Sequence, residues 1–185
     1  FAGNSRPHLG SLYESGQLDF IYSDRNSFMY CQYHRCKRCQ RMVCQLCITI
    51  VFIILTNGWG FLCLSHVLCD HAELEIAQAE LAHQVERSLN SNMKPIVLGG
   101  GHEVAFGSFS GLFQYIQNNH LNKKIGIINF DAHFDLREAE QVTSGTPFLN
   151  AAKLSEQFHQ EFNYMCIGVA KHSNTKILFD TAERL

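Results

Sequence analysis

The chain has 185 residues, an apolar fraction of 46% and a formal net charge of −2. That length supports one domain with a substantial core, and a charge balance so near neutral removes any global reason to expect nucleic acid or an anionic membrane as partner. A small-molecule substrate is the expected ligand, and ten histidines favour metal or proton chemistry while leaving its location to spacing.

The first residue is Phe1, and Leu185 ends a helical pattern without a stop signal; both ends read as cut, and the chain as a fragment. Residues 1 to 30 show no sustained period. Seven of the eight cysteines then crowd into one stretch: Cys31, Cys36, Cys39, Cys44, Cys47, Cys63 and Cys69. Cys36, Cys39, Cys44 and Cys47 form two Cys-x-x-Cys pairs beside His34, a pattern that invites zinc. Their spacer is much shorter than that of a zinc ribbon, which favours free, reduced thiols.

Residues 42–64 carry no charge and follow Arg35, Lys37, Arg38 and Arg41. Length and flanks would suit a membrane span, whereas Thr56-Asn57-Gly58 interrupts the run and the β-branched ITIVFII suits a buried strand, which is the favoured reading. No signal peptide is recognisable. Residues 1–68 are set apart as an unassigned Cys-rich, apolar segment, and residues 69–185 as the domain proper.

From Cys69 onward helices and strands alternate. Asp70 and Glu73 offer an N-cap and capping box for a helix whose Leu74, Ala77, Leu81, Val85 and Leu89 recur at helical spacing up to Asn90. Pro95 to Leu98 reads as a strand ending in Gly99-Gly100-Gly101, with a helix to follow from about Ser108 to Asn118. A second strand, Ile125 to Phe130, leads into Asp131. Thr146 and Pro147 have N-cap and N1 character for a helix to about Gln160, Tyr164 to Val169 reads as a third strand, and Ser173 or Asn174 caps a last helix. This alternation implies an α/β fold with a mostly parallel sheet covered on both faces, and ligands in such sheets bind beyond the carboxyl ends of the strands.

Two motifs sit at those ends. IGIINFDAHFDLR places Asp131, His133 and Asp135 at alternate positions after a strand, so in extended backbone their side chains share a direction. PIVLGGGHEVAFG puts His102 at the end of what reads as the neighbouring strand. Singly, each residue is more often a turn or surface residue. Together, clustered carboxylates without a cation would repel, and a metal resolves the conflict. A carboxylate and imidazole set without thiolate favours manganese or another hard to borderline ion, with iron, cobalt and catalytic zinc left open. A shared middle carboxylate suggests two ions.

GGGHE, DAHFD and SGTPF, in this order and spacing, resemble the ureohydrolase family of arginases, agmatinases and formimidoylglutamases over about residues 69–185. GGGHE in place of GGDHS, Phe134 where Thr is common, Ser144 opening SGTPF, and CIGVAKHSNTKILFDTAERL are most similar to formimidoylglutamase. The resemblance implies an arginase-like three-layer α/β/α fold, here incomplete, and a cytoplasmic enzyme hydrolysing N-formimidoyl-L-glutamate to L-glutamate and formamide in histidine degradation, with two Mn2+ ions. It implies His102 and Asp135 on one ion, His133 on the other and Asp131 bridging, Asp131 and His133 thereby serving the chemistry directly. Arg137, Ser144 and Thr146 are the candidates for binding substrate, Arg137 by a fork to a carboxylate. The family's later Asp-x-Asp strand has no counterpart before Leu185, so two ligands are missing and these residues alone are expected to turn over little or nothing. The competing readings are another ureohydrolase, such as an agmatinase, arginase or guanidino-acid hydrolase, and a non-catalytic, membrane-attached fragment anchored through residues 42–64. Homo-oligomerisation is left open.

Overall fold

The computed structural model describes residues 13–23, 27–36, 47–54, 61–69, 74–99 and 101–185, with backbone alone over nearly all of the first four strands. In chain order the elements are β1 (Tyr13–Ser23), β2 (Ser27–Cys36), β3 (Cys47–Ile54), β4 (Phe61–Cys69), α1 (Leu74–Asn90), β5 (Lys94–Gly99), α2 (Val104–Asn118), β6 (Gly126–Phe130), α3 (Pro147–Gln157), β7 (Asn163–Ile167) and α4 (Lys176–Arg184). One sheet contains all seven strands in the order β4-β3-β5-β2-β1-β6-β7.

The fold is α/β, as the alternation implied. Adjacent pairs β2–β5 and β6–β7 are parallel, and β1 and β3 run antiparallel to their neighbours. It follows that β2, β4, β5, β6 and β7 point one way and β1 and β3 the other. The strands expected to be neighbours, β5 and β6, do point the same way, but they are not adjacent. The β1–β2 hairpin inserts between them, β2 pairing with β5 from Tyr30↔Ile96 and β1 with β6 from Leu18↔Phe130. Sequence periodicity reports which face a strand buries, whereas order in the sheet depends on long-range pairing.

The charge-free stretch supplies β3, pairing with β4 and β5, and its ITIVFII core is strand. Residues 42–46 and 55–60 lie outside the described residues, as do the Cys39 and Cys44 of the zinc reading and the Asp70 and Glu73 of the capping box. No helix among the described residues is long and apolar enough to cross a membrane.

Against one face of the sheet lies a layer of helices. α1 buries Gln78, Leu81, Ala82, Val85, Ser88 and Leu89, the single stripe its spacing promised. α2 is apolar almost all round and is buried accordingly, from Val104 through Phe113 except for the half-buried Phe106, and again at Ile116. Gly107 and Gly111, one turn apart, let the two helices touch: a Cβ at Gly111 would collide with the Ala82 carbonyl oxygen and lie 2.7 Å from Val85 Cβ. Leu81, Val85, Val97, Leu112, Ile127, Leu136 and Phe148 form the centre of the core. On the other face of β6 and β7, Phe130, Met165 and Ile167 are exposed, so among the described residues the expected second helical layer is incomplete there.

Candidate metal centre

Between β5 and α2 the chain turns through Gly101, whose N–H donates to the Glu103 carboxylate at 3.0 Å. A Cβ on Gly101 would overlap that carboxylate, so glycine is what permits the fold-back. The Glu103 carbonyl in turn accepts from the Gln78 side chain at 2.8 Å, tying the turn to α1. Glu103 is buried, and burial pushes its carboxyl above the ordinary range. With Glu103 so held, α2 starts at Val104, four residues before the periodicity suggested. His102 stands at the mouth of this turn, 4% exposed, its ring edge-on to Phe148 with centroids 5.3 Å apart.

Beyond β6 the chain from Asp131 to Asp135 delivers the other candidates. His102, Asp131 and Asp135 each offer a ligand atom, and these atoms lie within 4.8 Å of one another. His102 Nδ1 is 3.2 Å from Asp131 Oδ2 and also meets Asp135 Oδ2. His133 lies outside this close group, against the opposite oxygen of the same carboxylate: its Nδ1 is 3.1 Å and its backbone N–H 2.9 Å from Asp131 Oδ1. Its side chain is half exposed. Burial pushes the Asp131 carboxyl up, but hydrogen bonds from His102 and from the His133 amide outweigh it and hold the group below the usual range.

Asp135 adopts φ 48°, the left-handed region that costs a non-glycine residue about 1–3 kcal/mol. That bend turns its carboxylate back to His102, and its carbonyl accepts from the Phe148 amide at 3.3 Å. Two carboxylates and an imidazole converging on one point, one carboxylate nearly buried, concentrate negative charge that a divalent cation would relieve. The donor chemistry fits a hard to borderline ion. The described thiol, Cys166, is turned to the Asp131 and His133 carbonyls, 3.6 and 3.3 Å away.

The SGTPF turn is hung on the same loop by the Arg137 N–H, which donates to the Gly145 carbonyl at 2.9 Å. Arg137 and Ser144 are exposed there, and the Arg137 guanidinium lies over Gly145. Thr146 is buried, and its hydroxyl donates to the Thr143 carbonyl and accepts from the Thr143 amide. It therefore holds the turn and makes no side-chain cap to α3.

Residues 26–184 match the arginase family. This chain belongs to the arginase family. The match begins before residue 69, and the strands on either side of that boundary share one sheet. Among curated relatives, the chain is 47% identical to a formimidoylglutamase of Chromobacterium violaceum over 119 residues, 64% of this chain and 37% of that protein. It is 50% identical over 122 residues to a formimidoylglutamase of Aeromonas hydrophila, again 64% and 37%, and 48% identical over 130 residues to one of Vibrio vulnificus, 66% and 38%. The chain thus spans well under half the length of these arginase-family relatives.

Proposed function

We propose that this chain is the metal-binding part of a cytoplasmic hydrolase that cleaves the C–N bond of a linear amidine, converting N-formimidoyl-L-glutamate and water to L-glutamate and formamide. Two manganese ions are the proposed cofactor, and residues 69–185 the part that carries the proposed ligands. The observation that supports this best is the position of Asp131: one carboxylate oxygen faces His102 and Asp135, the other faces His133. A carboxylate so placed is suited to bridge two ions, with His102 and Asp135 serving one and His133 the other. The names of the relatives supply the substrate.

When bound, such a pair of ions lowers the pKa of water and polarises the bond to be broken. The remaining work falls to the chain. Asp131, held ionised, keeps the two half-sites at a fixed separation. Phe148 covers the inner side of His102 and keeps bulk water from that face. Arg137, exposed beside the Gly145 turn, would pair with a substrate carboxylate in a fork, and Ser144 would orient it, while Thr146 holds the turn that carries both.

The test is formamide release from N-formimidoyl-L-glutamate with added Mn2+, run beside urea release from arginine and agmatine. Formamide formation lost in Asp131→Ala, with KM raised in Arg137→Ala, is the expected result. Urea in place of formamide would assign the site to a guanidino substrate.

A further inference from the structure

The three ligand positions on the metal loop alternate with Ala132 and Phe134, and it is these two that the rest of the molecule grips. The Asn174 side chain reaches across to both. Its Oδ1 accepts from the Phe134 amide at 3.0 Å, and its Nδ2 donates to the Ala132 carbonyl at 2.8 Å and to the Ala170 carbonyl at 2.9 Å. An amide with two donor hydrogens and an acceptor oxygen can pair with an extended segment as a neighbouring strand would, and this one does so from the connection between β7 and α4. The sequence suggests Asn174 as a helix cap, but α4 is capped by Thr175, with no side-chain bond. Asn174 is committed to the loop instead.

A second grip comes from β7. Tyr164 donates its hydroxyl to the Phe134 carbonyl at 2.8 Å, and accepts at 3.0 Å from the side chain of Asn129, which is fully buried. The Ala170 N–H adds a second bond to the Ala132 carbonyl, 3.0 Å, and the Asp131 N–H donates to the Ile167 carbonyl at 3.1 Å. Nothing in this set touches a ligand atom. What it fixes is the backbone between ligand atoms, and a mixed carboxylate and imidazole site depends on that spacing because an ion's preferred ligand geometry tolerates only small errors.

We propose that Asn174 is the principal positioning residue of the metal loop, its side-chain amide substituting for a neighbouring strand and setting the spacing of Asp131, His133 and Asp135, with Tyr164 as the secondary grip. The inference rests on the reading of these residues as metal ligands, and the experiment separates the two. Mn2+ affinity of the 185-residue chain is measured by electron paramagnetic resonance, and the visible absorption of the Co2+-loaded chain is recorded, for the natural sequence, Asn174→Ala, Asn174→Asp and Tyr164→Phe. Helix content and melting temperature without metal are followed in parallel.

Asn174→Ala is expected to weaken Mn2+ about ten- to a hundredfold and to move the Co2+ bands while helix content holds. Asn174→Asp keeps the acceptor but sets a carboxylate against two carbonyl oxygens, so it fails to rescue. Tyr164→Phe, which removes a single oxygen, shifts both readouts the same way by a smaller factor. A folded Asn174→Ala that melts lower yet binds Mn2+ as the natural chain does, with unmoved Co2+ bands, overturns the positioning role and leaves the ligand assignment standing. Should Asn174→Ala not fold, Tyr164→Phe decides by the same criterion. Absence of Mn2+ binding by the natural chain overturns both readings.

Discussion

The two faces of β6 and β7 differ in a way that inverts the usual rule for a half-covered sheet. On the covered face stand Ile127, Asn129, Tyr164 and Cys166, three of the four hydrogen-bonded through their side chains; on the other face stand Ile128, Phe130, Met165 and Ile167, all apolar, with Met165 57% exposed. An exposed face would ordinarily carry the polar residues and a covered one the apolar. Here the covered polar groups have work at the strand ends. Tyr164, itself held by the Asn129 side chain, holds the Phe134 carbonyl, and Cys166 meets the carbonyls of Asp131 and His133. Position on the covered face is what brings them to the Asp131–Asp135 loop.

If that face is the organised one, damage to it should dominate. Phe148, 1% exposed, packs its ring on His102 and on Tyr164, the latter with centroids 4.7 Å apart. Phe148→Ala is expected to cost about 3–5 kcal/mol in a urea titration, since it removes a large ring from the core and leaves a cavity between the site and its support. A loss below about 1 kcal/mol would mean that the two sides are packed independently. Asp131→Asn comes next. It should weaken Mn2+ by about a hundredfold, equal to about 2.8 kcal/mol, if Asp131 bridges both half-sites as proposed. Isothermal titration that found only one of two binding events affected would break the bridging assignment.

Much of this organisation was legible in the sequence, for reasons that particular residues make clear. Leu81, Val85 and Leu89 announce α1 by period alone, and the Pro147 and Thr146 pair announces the start of α3. His102, Asp131 and Asp135 could be brought together from strand ends because an α/β sheet gathers such ends on one edge. Two things were not legible. The insertion of β1 and β2 between β5 and β6 is a matter of pairing partners, which local pattern does not record. The role of Asn174 was hidden because asparagine before a helix ordinarily reads as a cap, and only the fold shows that its amide faces a segment forty residues earlier. In ITIVFII the sequence left strand and membrane helix both open, and β3 is the outcome.

The close helix pair tests how far the covered side extends. Gly111→Ala would drive a methyl into the Ala82 carbonyl and Val85, which α1 can relieve only by moving away from α2. The expected cost is about 1–3 kcal/mol of stability, read by urea titration. Because α1 holds the Glu103 turn through Gln78, the same substitution should also weaken Mn2+ measurably; unchanged affinity would confine the coupled region to α2, α3 and the loop.

On the exposed face the expectation is close to zero, and that makes it the sharper test of the contrast. Met165 and Ile167 alternate with Tyr164 and Cys166 on the same strand and differ from them only in which way they point. Met165→Thr exchanges an exposed apolar side chain for a β-branched one of good strand propensity, so stability should stay within about 0.5 kcal/mol and Mn2+ affinity should not move. The neighbouring Tyr164→Phe, a smaller chemical change, should move the affinity. If Met165→Thr instead cost as much as a core substitution, the face would have to be covered in solution, and the asymmetry between the two sides of β7 would no longer hold.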